Sequence, residues 1–268
     1  MKGVDQMKKS FYINSAILFS SALILLGICS VSAVSATHNW YCVHRKDHKQ
    51  PTVGTDISFV EDYGGIFIDH SHGDDCEDKV IYLTFDAGYE NGNVEKILNV
   101  LKSENVPGAF FILGNLIKQN SSLVNRMFNE GHLVCNHTYS HNSMIGKTKS
   151  EFEAELCKLE RACYEITGQQ MAKLYRPPEG KFDETTLRYA NELGYKTVFW
   201  SFAYADWDND KQMAPEKAKE KILSCIHNGE IMLLHPTSAT NADILTEVIR
   251  ELKSQGFRFG SLDEIGKG

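Results

Sequence analysis

From Val80 onward a short apolar run is followed by an amphipathic stretch, and this alternation repeats almost to the C-terminus. Such a pattern suits a parallel sheet covered by helices, because successive parallel strands need a crossover segment between them. Apolar runs at 80–85, 108–113, 133–136, 173–176, 197–202 and 230–234, with a weaker one at 257–259, predict about seven strands. Stretches with the ~3.6-residue helical period predict helices at 94–103, 123–130, 150–167, 184–193, 215–227 and 242–253. Ser150 opens the segment SEFE, a Ser-x-x-Glu capping box, and Gly168 closes that helix; Gly131, Gly194 and Gly256 end others.

An α/β chain of this kind can form an open doubly wound sheet or a barrel, and the reactive residues decide between them. Asp86 follows the first strand, His137 the third, Arg176 ends the fourth, Asp206 and Trp207 follow the fifth, and His235 ends the sixth. An open sheet gathers its chemistry at one switch point, whereas a barrel brings the ends of many strands to one mouth. The distribution predicts a distorted (β/α) barrel. No Gly-rich phosphate loop follows the first strand, so nucleotide binding has no support.

Of the 268 residues, 42% are hydrophobic, enough for one sizeable core. The net charge of −7, without a basic run, argues against a nucleic-acid partner. At the N-terminus Lys2, Lys8 and Lys9 precede an apolar stretch over 11–29 and the small residues Val34, Ser35 and Ala36, the pattern of an export leader cleaved after Ala36. The alternative is an uncleaved anchor, which is the only membrane association expected; bulky Ile28 before Cys29 counts against a lipoprotein. The domain is thus expected to work outside the cytoplasm, as a monomer. Residues 1–36 read as leader or anchor, 37–78 as a polar N-terminal extension wrapping the domain, and 79–268 as the catalytic domain. Beyond the leader Cys42, Cys76, Cys135, Cys157, Cys163 and Cys225 contain no CxxC pair and read mostly as buried small hydrophobes.

Within NHTYSH, His137 and His141 are four apart, a spacing that on a helical turn points both imidazoles at one borderline metal such as zinc. In LYRPPEGKF, Pro177 and Pro178 stiffen the chain behind Arg176, whose planar fork suits a carboxylate. FAYADWDND offers Asp206 and Trp207, the latter either the floor of a sugar site or a core cap, and IMLLHP places His235 on the same rim. The segment DHSHGDDCED carries His70, His72, Asp74 and Asp75 but no rigid element, and reads as a solvated loop that would pay heavily in entropy to hold a metal.

Taken in order, TFDAG, NHTYSH, RPPEG, ADW and LLH resemble the polysaccharide deacetylases with a NodB homology domain, over about residues 79–262. FDAGYENG, VFWSFAYADW and NWY look most like the spore-cortex branch, the delta-lactam-biosynthetic peptidoglycan N-acetylmuramic acid de-N-acetylases. The resemblance implies a distorted (β/α) barrel and metal-assisted hydrolysis of an N-acetyl group on a peptidoglycan glycan strand. It implies Asp86 as general base, His137 and His141 as ligands of a divalent metal, zinc by ligand type, Arg176 as the partner that keeps Asp86 ionised, and His235 as general acid oriented by Asp206. Trp207 and Leu233 would line the acetyl or sugar pocket, with Tyr89, Glu90 and Lys181 also meeting substrate.

Most of the family has a second Asp after the base, completing an Asp-His-His metal triad; here that position is Ala87. Three readings follow. The enzyme can work with two histidines, waters and Asp86 or Glu90 filling the gap; the protein can be a glycan-binding module without activity; or the barrel can hydrolyse another amide or ester. The retained Asp86, Arg176, Asp206 and His235 favour the first, because a binder needs neither acid nor base. Cys135, two residues before His137, is a remote further ligand. The branch resemblance implies muramic acid stripped of its stem peptide as substrate, whose freed amine can attack the lactyl carboxylate of its own sugar to close a lactam.

Overall fold

A computed structural model describes residues 36–266. They belong to one compact unit. In chain order the elements are β1 (His38–Asn39), β2 (Lys79–Ala87), α1 (Asn93–Glu104), β3 (Ala109–Ile112), α2 (Gly114–Gln119), α3 (Ser121–Asn129), β4 (Leu133–Asn136) and α4 (Lys149–Thr167). These are followed by β5 (Leu174–Tyr175), β6 (Lys181–Phe182), α5 (Glu184–Glu192), β7 (Lys196–Thr197), α6 (Pro215–Leu223), β8 (Glu230–Leu234), α7 (Ala239–Ser254) and β9 (Phe257–Phe259). The leader expected over 1–36 lies almost wholly outside the described residues. Among the described ones no helix is long and apolar enough to cross a membrane.

The main sheet is parallel and curled, in the order β7-β5-β4-β3-β2-β8. Ile81 of β2 pairs with Glu230 of β8 and also with Phe259, so β9 takes the edge of β2 that β3 takes over from Thr84. Strand alternation sorts the side chains. Val80 and Tyr82 join Ala109, Phe111, Cys135, Leu174, Val198 and Ile231 in an inner apolar cluster, while Ile81, Leu83, Phe85 and Ala87 face an outer layer with α1 and α7. The curl is therefore a barrel with a packed interior, as the strand-end chemistry predicts.

The closing segment departs from the expected strand at 197–202. Only Lys196–Thr197 is regular, pairing with β5. Beyond it the chain swings across the gap: Val198 N donates to Tyr175 O, Ser201 N to Ile231 O and Leu233 N to Phe202 O. One segment has to pair β5 at its start and β8 at its end, and no straight strand reaches both. The helix expected at 215–227 likewise stops at Leu223, because Cys225 and His227 leave it to meet β8: His227 N donates to a Glu230 carboxylate oxygen at 3.2 Å. The capping box of α4 uses Thr148 and Glu151 rather than Ser150. Both registers fit the motif, and the earlier one adds the Phe152 N to Thr148 O bond at 2.9 Å.

Residues 37–78 are woven into the fold. Trp40, Ile57, Val60, Phe67 and Ile68 pack with Phe182, Leu187 and Phe199 in an apolar cluster of their own, Trp40 stacking on Phe199 with ring centroids 4.3 Å apart. β1 pairs antiparallel with β6, and Ile66 bridges Val198. The His/Asp segment expected to be a loose solvated loop is ordered. Buried Asp69 accepts from Ser71 N at 3.0 Å and from Tyr82 Oη at 2.6 Å, His72 lies 2.7 Å from Asp69, and Gln50 N donates to Asp74 at 2.7 Å. These partners are spent within the fold, and the segment forms no metal cluster.

Candidate active site

At the C-terminal mouth of the barrel, two carboxylate-centred pairs stand on different strands. Asp86 projects inward from β2 in alternation with Thr84 and Tyr82. Its Oδ1 accepts from Arg176 Nη1 at 2.8 Å. The guanidinium is fully buried and has every arm occupied: Nε donates to Val198 O at 3.1 Å, and Nη2 to Thr84 Oγ1 at 2.9 Å and Phe199 O at 3.1 Å. It lies over the Phe111 ring, 4.1 Å from the centroid. Burial would raise the Asp86 carboxyl, but the charges of Arg176, His137 and His235 outweigh it and hold the group below the ordinary carboxylate value.

Across the mouth, His235 follows β8. Its Nδ1 donates to Asp206 Oδ1 at 2.7 Å and its backbone N to Asp206 Oδ2 at 2.8 Å. Burial lowers its proton affinity, yet the bond to Asp206 and the charges of Asp206 and Asp86 prevail and raise it above the usual histidine value. The surroundings thus favour an ionised Asp86 and a protonated His235, an arrangement that could serve acid–base hydrolysis.

His137 extends β4 by one residue. Its Nδ1 donates to Arg176 O at 2.9 Å, which leaves Nε2 facing Asp86 Oδ2 at 3.5 Å. Burial pushes the imidazole down to about 4, so near neutrality it is uncharged with a free lone pair at Nε2. His141 stands beside it, ring centroids 4.9 Å apart. The two rings meet, but not through the helical turn that the spacing predicted. Residues 137–141 are not a helical turn; Thr138 and His141 adopt left-handed backbone with φ of 71° and 59°, locked by Thr138 N to Asn136 Oδ1 at 2.9 Å and His141 N to Thr138 Oγ1 at 2.9 Å. A folded loop, not an i,i+4 ridge, brings the rings together.

These donors suit a divalent ion in an open site. A neutral imidazole anchored through Nδ1 to a carbonyl is the usual form of a ligating histidine. The 3.5 Å between His137 Nε2 and Asp86 Oδ2 is close to the roughly 3.4 Å that separates two tetrahedral donors at zinc bond lengths. Among the described residues no three His, Cys, Asp or Glu side chains form a closed group, so water would complete the shell. Ala87 is fully buried in the outer apolar cluster, and the position of the family's second Asp is spent on packing. Glu90, the other carboxylate expected to fill that gap, caps α1 through Gly92 N and Glu95 N instead. Cys135 is fully buried in the inner cluster and burial raises its thiol, which disfavours the thiolate that a metal ligand would need.

The remaining expected contacts divide. Trp207 is 60% exposed with its ring 6.1 Å from that of His235, a rim position open to a sugar face. Leu233 is buried, opposite Thr84 in the β2–β8 ladder. Exposed Tyr89 accepts from Asn209 Nδ2 at 2.6 Å, tying the β2–α1 loop to the loop of Trp207. Lys181 is paired with Glu179, so its charge is largely neutralised before any substrate arrives. Sequence reading missed Thr84 and Asn241. Thr84 was detectable, two residues before Asp86 on the same strand face; Asn241, whose Nδ2 donates to Asp206 Oδ2 at 2.6 Å from a later helix, had no local signal.

Comparison with known proteins agrees with this geometry. The family model for polysaccharide deacetylase matches residues 73–198. The peptidoglycan-N-acetylmuramic acid deacetylase PdaA of Bacillus subtilis is 36% identical over 252 residues, covering 93% of this chain and 94% of that protein. Its solved structure, described as a family 4 carbohydrate esterase, superposes with a TM-score of 0.80 at 38% identity, covering 85% of this chain and 96% of that one. A family 4 carbohydrate esterase from Bacillus anthracis gives 0.70 at 36% identity, covering 87% and 97%. The chain belongs to the polysaccharide deacetylase family. It is a hydrolase of that class, a polysaccharide N-deacetylase.

Proposed function

We propose that the protein removes N-acetyl groups from N-acetylmuramic acid in peptidoglycan outside the cytoplasm, on glycan freed of its stem peptide, and so prepares the muramic delta-lactam of spore cortex. The observation that carries the reading is the opposed pair at the mouth, Asp86 held ionised by Arg176 and His235 held protonated by Asp206. Likeness to PdaA along nearly the whole of both chains supports the muramic acid substrate.

In this reading Asp86 takes a proton from the water that attacks the acetamide carbonyl, and His235 protonates the departing amine, otherwise a poor leaving group. Arg176 keeps Asp86 from being protonated beforehand, and Trp207 offers its face to the sugar. A divalent ion held by His137 and His141 with water completing its shell, zinc by donor type, would polarise the carbonyl and lower the pKa of bound water. The freed amine then lies near the lactyl carboxylate of its own sugar, where effective molarity favours lactam closure.

The test is amine release from peptide-stripped peptidoglycan by residues 36–268, with added zinc and with chelator, beside Asp86→Asn. Release that needs metal and is abolished in Asp86→Asn is expected. Glycan binding without release under any metal would make the protein a binding module, and equal release from peptide-bearing strands or chitin oligomers would refute the cortex substrate.

A further inference from the structure

The Asp206–His235 pair does not stand alone. Asp206 is 1% exposed, and a buried carboxylate needs donors on both oxygens. Oδ1 receives His235 Nδ1, while Oδ2 receives His235 N and Asn241 Nδ2, the last at 2.6 Å. Asn241 is itself 1% exposed and sits three residues into the cap of α7, where Ser238 Oγ accepts from its backbone N at 3.1 Å. At this position a side chain ordinarily folds back to the cap. Here it reaches into the barrel mouth instead.

The amide has one allowed orientation. Nδ2 donates to both Asp206 Oδ2 and His235 O, the latter at 3.1 Å, and Oδ1 accepts from Tyr204 Oη. A flipped amide would set its oxygen against a carboxylate and a carbonyl, which only accept, so these two groups fix which end faces them. Tyr204, 7% exposed, anchors the other end by donating its hydroxyl to Oδ1. Gln212 Nε2 holds the backbone of the same acid, donating to Asp206 O at 2.9 Å. We propose that Asn241, its amide oxygen anchored by Tyr204, is a positioning residue that holds Asp206 and the His235 backbone in register so that the His235 imidazole is aimed at the leaving amine.

The assignment rests on His235 acting as the general acid, and it makes a signed prediction. The charged groups acting on His235 are Asp206 behind it and Asp86 and Arg176 across the mouth; its charge is also felt at His141. In Asn241→Asp a protonated carboxyl can donate to Asp206 Oδ2 as the amide does, whereas an ionised one faces a second carboxylate. Two buried carboxylates in contact share one proton and lose it at a raised pKa. Asn241→Asp should therefore keep kcat near the wild-type value at acid pH and lose it as pH rises, before the wild-type alkaline limb is reached, with KM unchanged. Tyr204→Phe should lower kcat about three- to tenfold, and Tyr204→Phe combined with Asn241→Ala should cost no more than Asn241→Ala alone, because the two residues act as a unit.

Thr240→Ala, which removes a buried hydroxyl bond to Met213 O on the same helical turn, serves as the structural control and should lower Tm while leaving the pH profile in place. A readout independent of turnover is the His235 Nδ1–H proton resonance, expected downfield in the wild type and shifted or broadened in Asn241→Ala and Tyr204→Phe. A pH-independent loss in Asn241→Asp, a Thr240→Ala profile that moves as far as the Asn241 one, or an unmoved His235 resonance would overturn the assignment. Absence of amine release from the wild type would instead remove the deacetylase reading, and the resonance would still report on Asn241.

Discussion

Asp86 carries two loads at once, the proposed base on one oxygen and the counter-charge of a buried guanidinium on the other. Arg176 is held by three acceptors besides Asp86, and a lysine, with a single cationic point, satisfies at most part of that set. Arg176→Lys is expected to cost about 3–5 kcal/mol in urea unfolding, as breaking a buried ion pair does, and to lower kcat about a hundredfold or more. Activity should be bell-shaped in pH. The acid limb falls where Asp86 and His137 gain protons, the latter near pH 4, and the alkaline limb falls above the ordinary histidine value, where His235 loses its proton. Asp206→Asn should carry the alkaline limb down, since burial and the Arg176 charge would then lower the His235 imidazole with only Asp86 opposing them. The same linkage acts on stability: the His235–Asp206 contribution is fully present below the unfolded histidine value and is lost as pH rises through the raised folded one. An alkaline limb that Asp206→Asn leaves unmoved would remove His235 as the acid.

Among the elements, β8 leads to His235 at one end and starts at a buried carboxyl at the other. Glu230 is fully buried, with Oε2 facing His227 and Oε1 without a partner among the described residues. Burial raises its carboxyl well above the ordinary value, so the folded chain keeps a proton that the unfolded chain releases. Stability should consequently fall as pH rises from about 4.5 to the folded value. Glu230→Gln should flatten that slope and leave the protein more stable than wild type at pH 8, measured as the urea midpoint across pH. A wild-type midpoint that does not decline with pH would show the carboxyl to be ionised and otherwise compensated. Elements with a long apolar repeat were legible from sequence: α4 and α7 end within a few residues of expectation. The closing segment after β7 was not, because its path depends on two partners far apart in sequence, and α6 was overestimated because periodicity does not see the pull of Glu230 on His227.

At the scale of the molecule, the family match begins at residue 73, but the core begins earlier. Trp40 is 6% exposed, stacks on Phe199 and donates Nε1 to Trp200 O at 2.8 Å, on the segment that closes the barrel and accepts from Arg176. Trp40→Ala should cost about 3–5 kcal/mol, and a chain starting at residue 73 should lack a cooperative thermal transition. A truncated chain that melts cooperatively with activity intact would reduce the segment to an accessory wrap.

The sequence by itself determined the parallel barrel, through its alternating periodicity, and most of the reactive set at the mouth, because strand-end residues keep their place whatever the packing in detail. The roles attached to that set came from resemblance; the structure adds the geometry of the two carboxylate pairs. Only the tertiary structure decided what each polar group is spent on. Glu90 caps a helix, Lys181 is paired with Glu179, Ala87 fills the outer core, and Asn241 reaches from α7 to Asp206. A carboxylate, amide or ammonium reads alike in sequence whether it is free or engaged. Its partner is chosen by contacts between residues far apart along the chain, which no local pattern records.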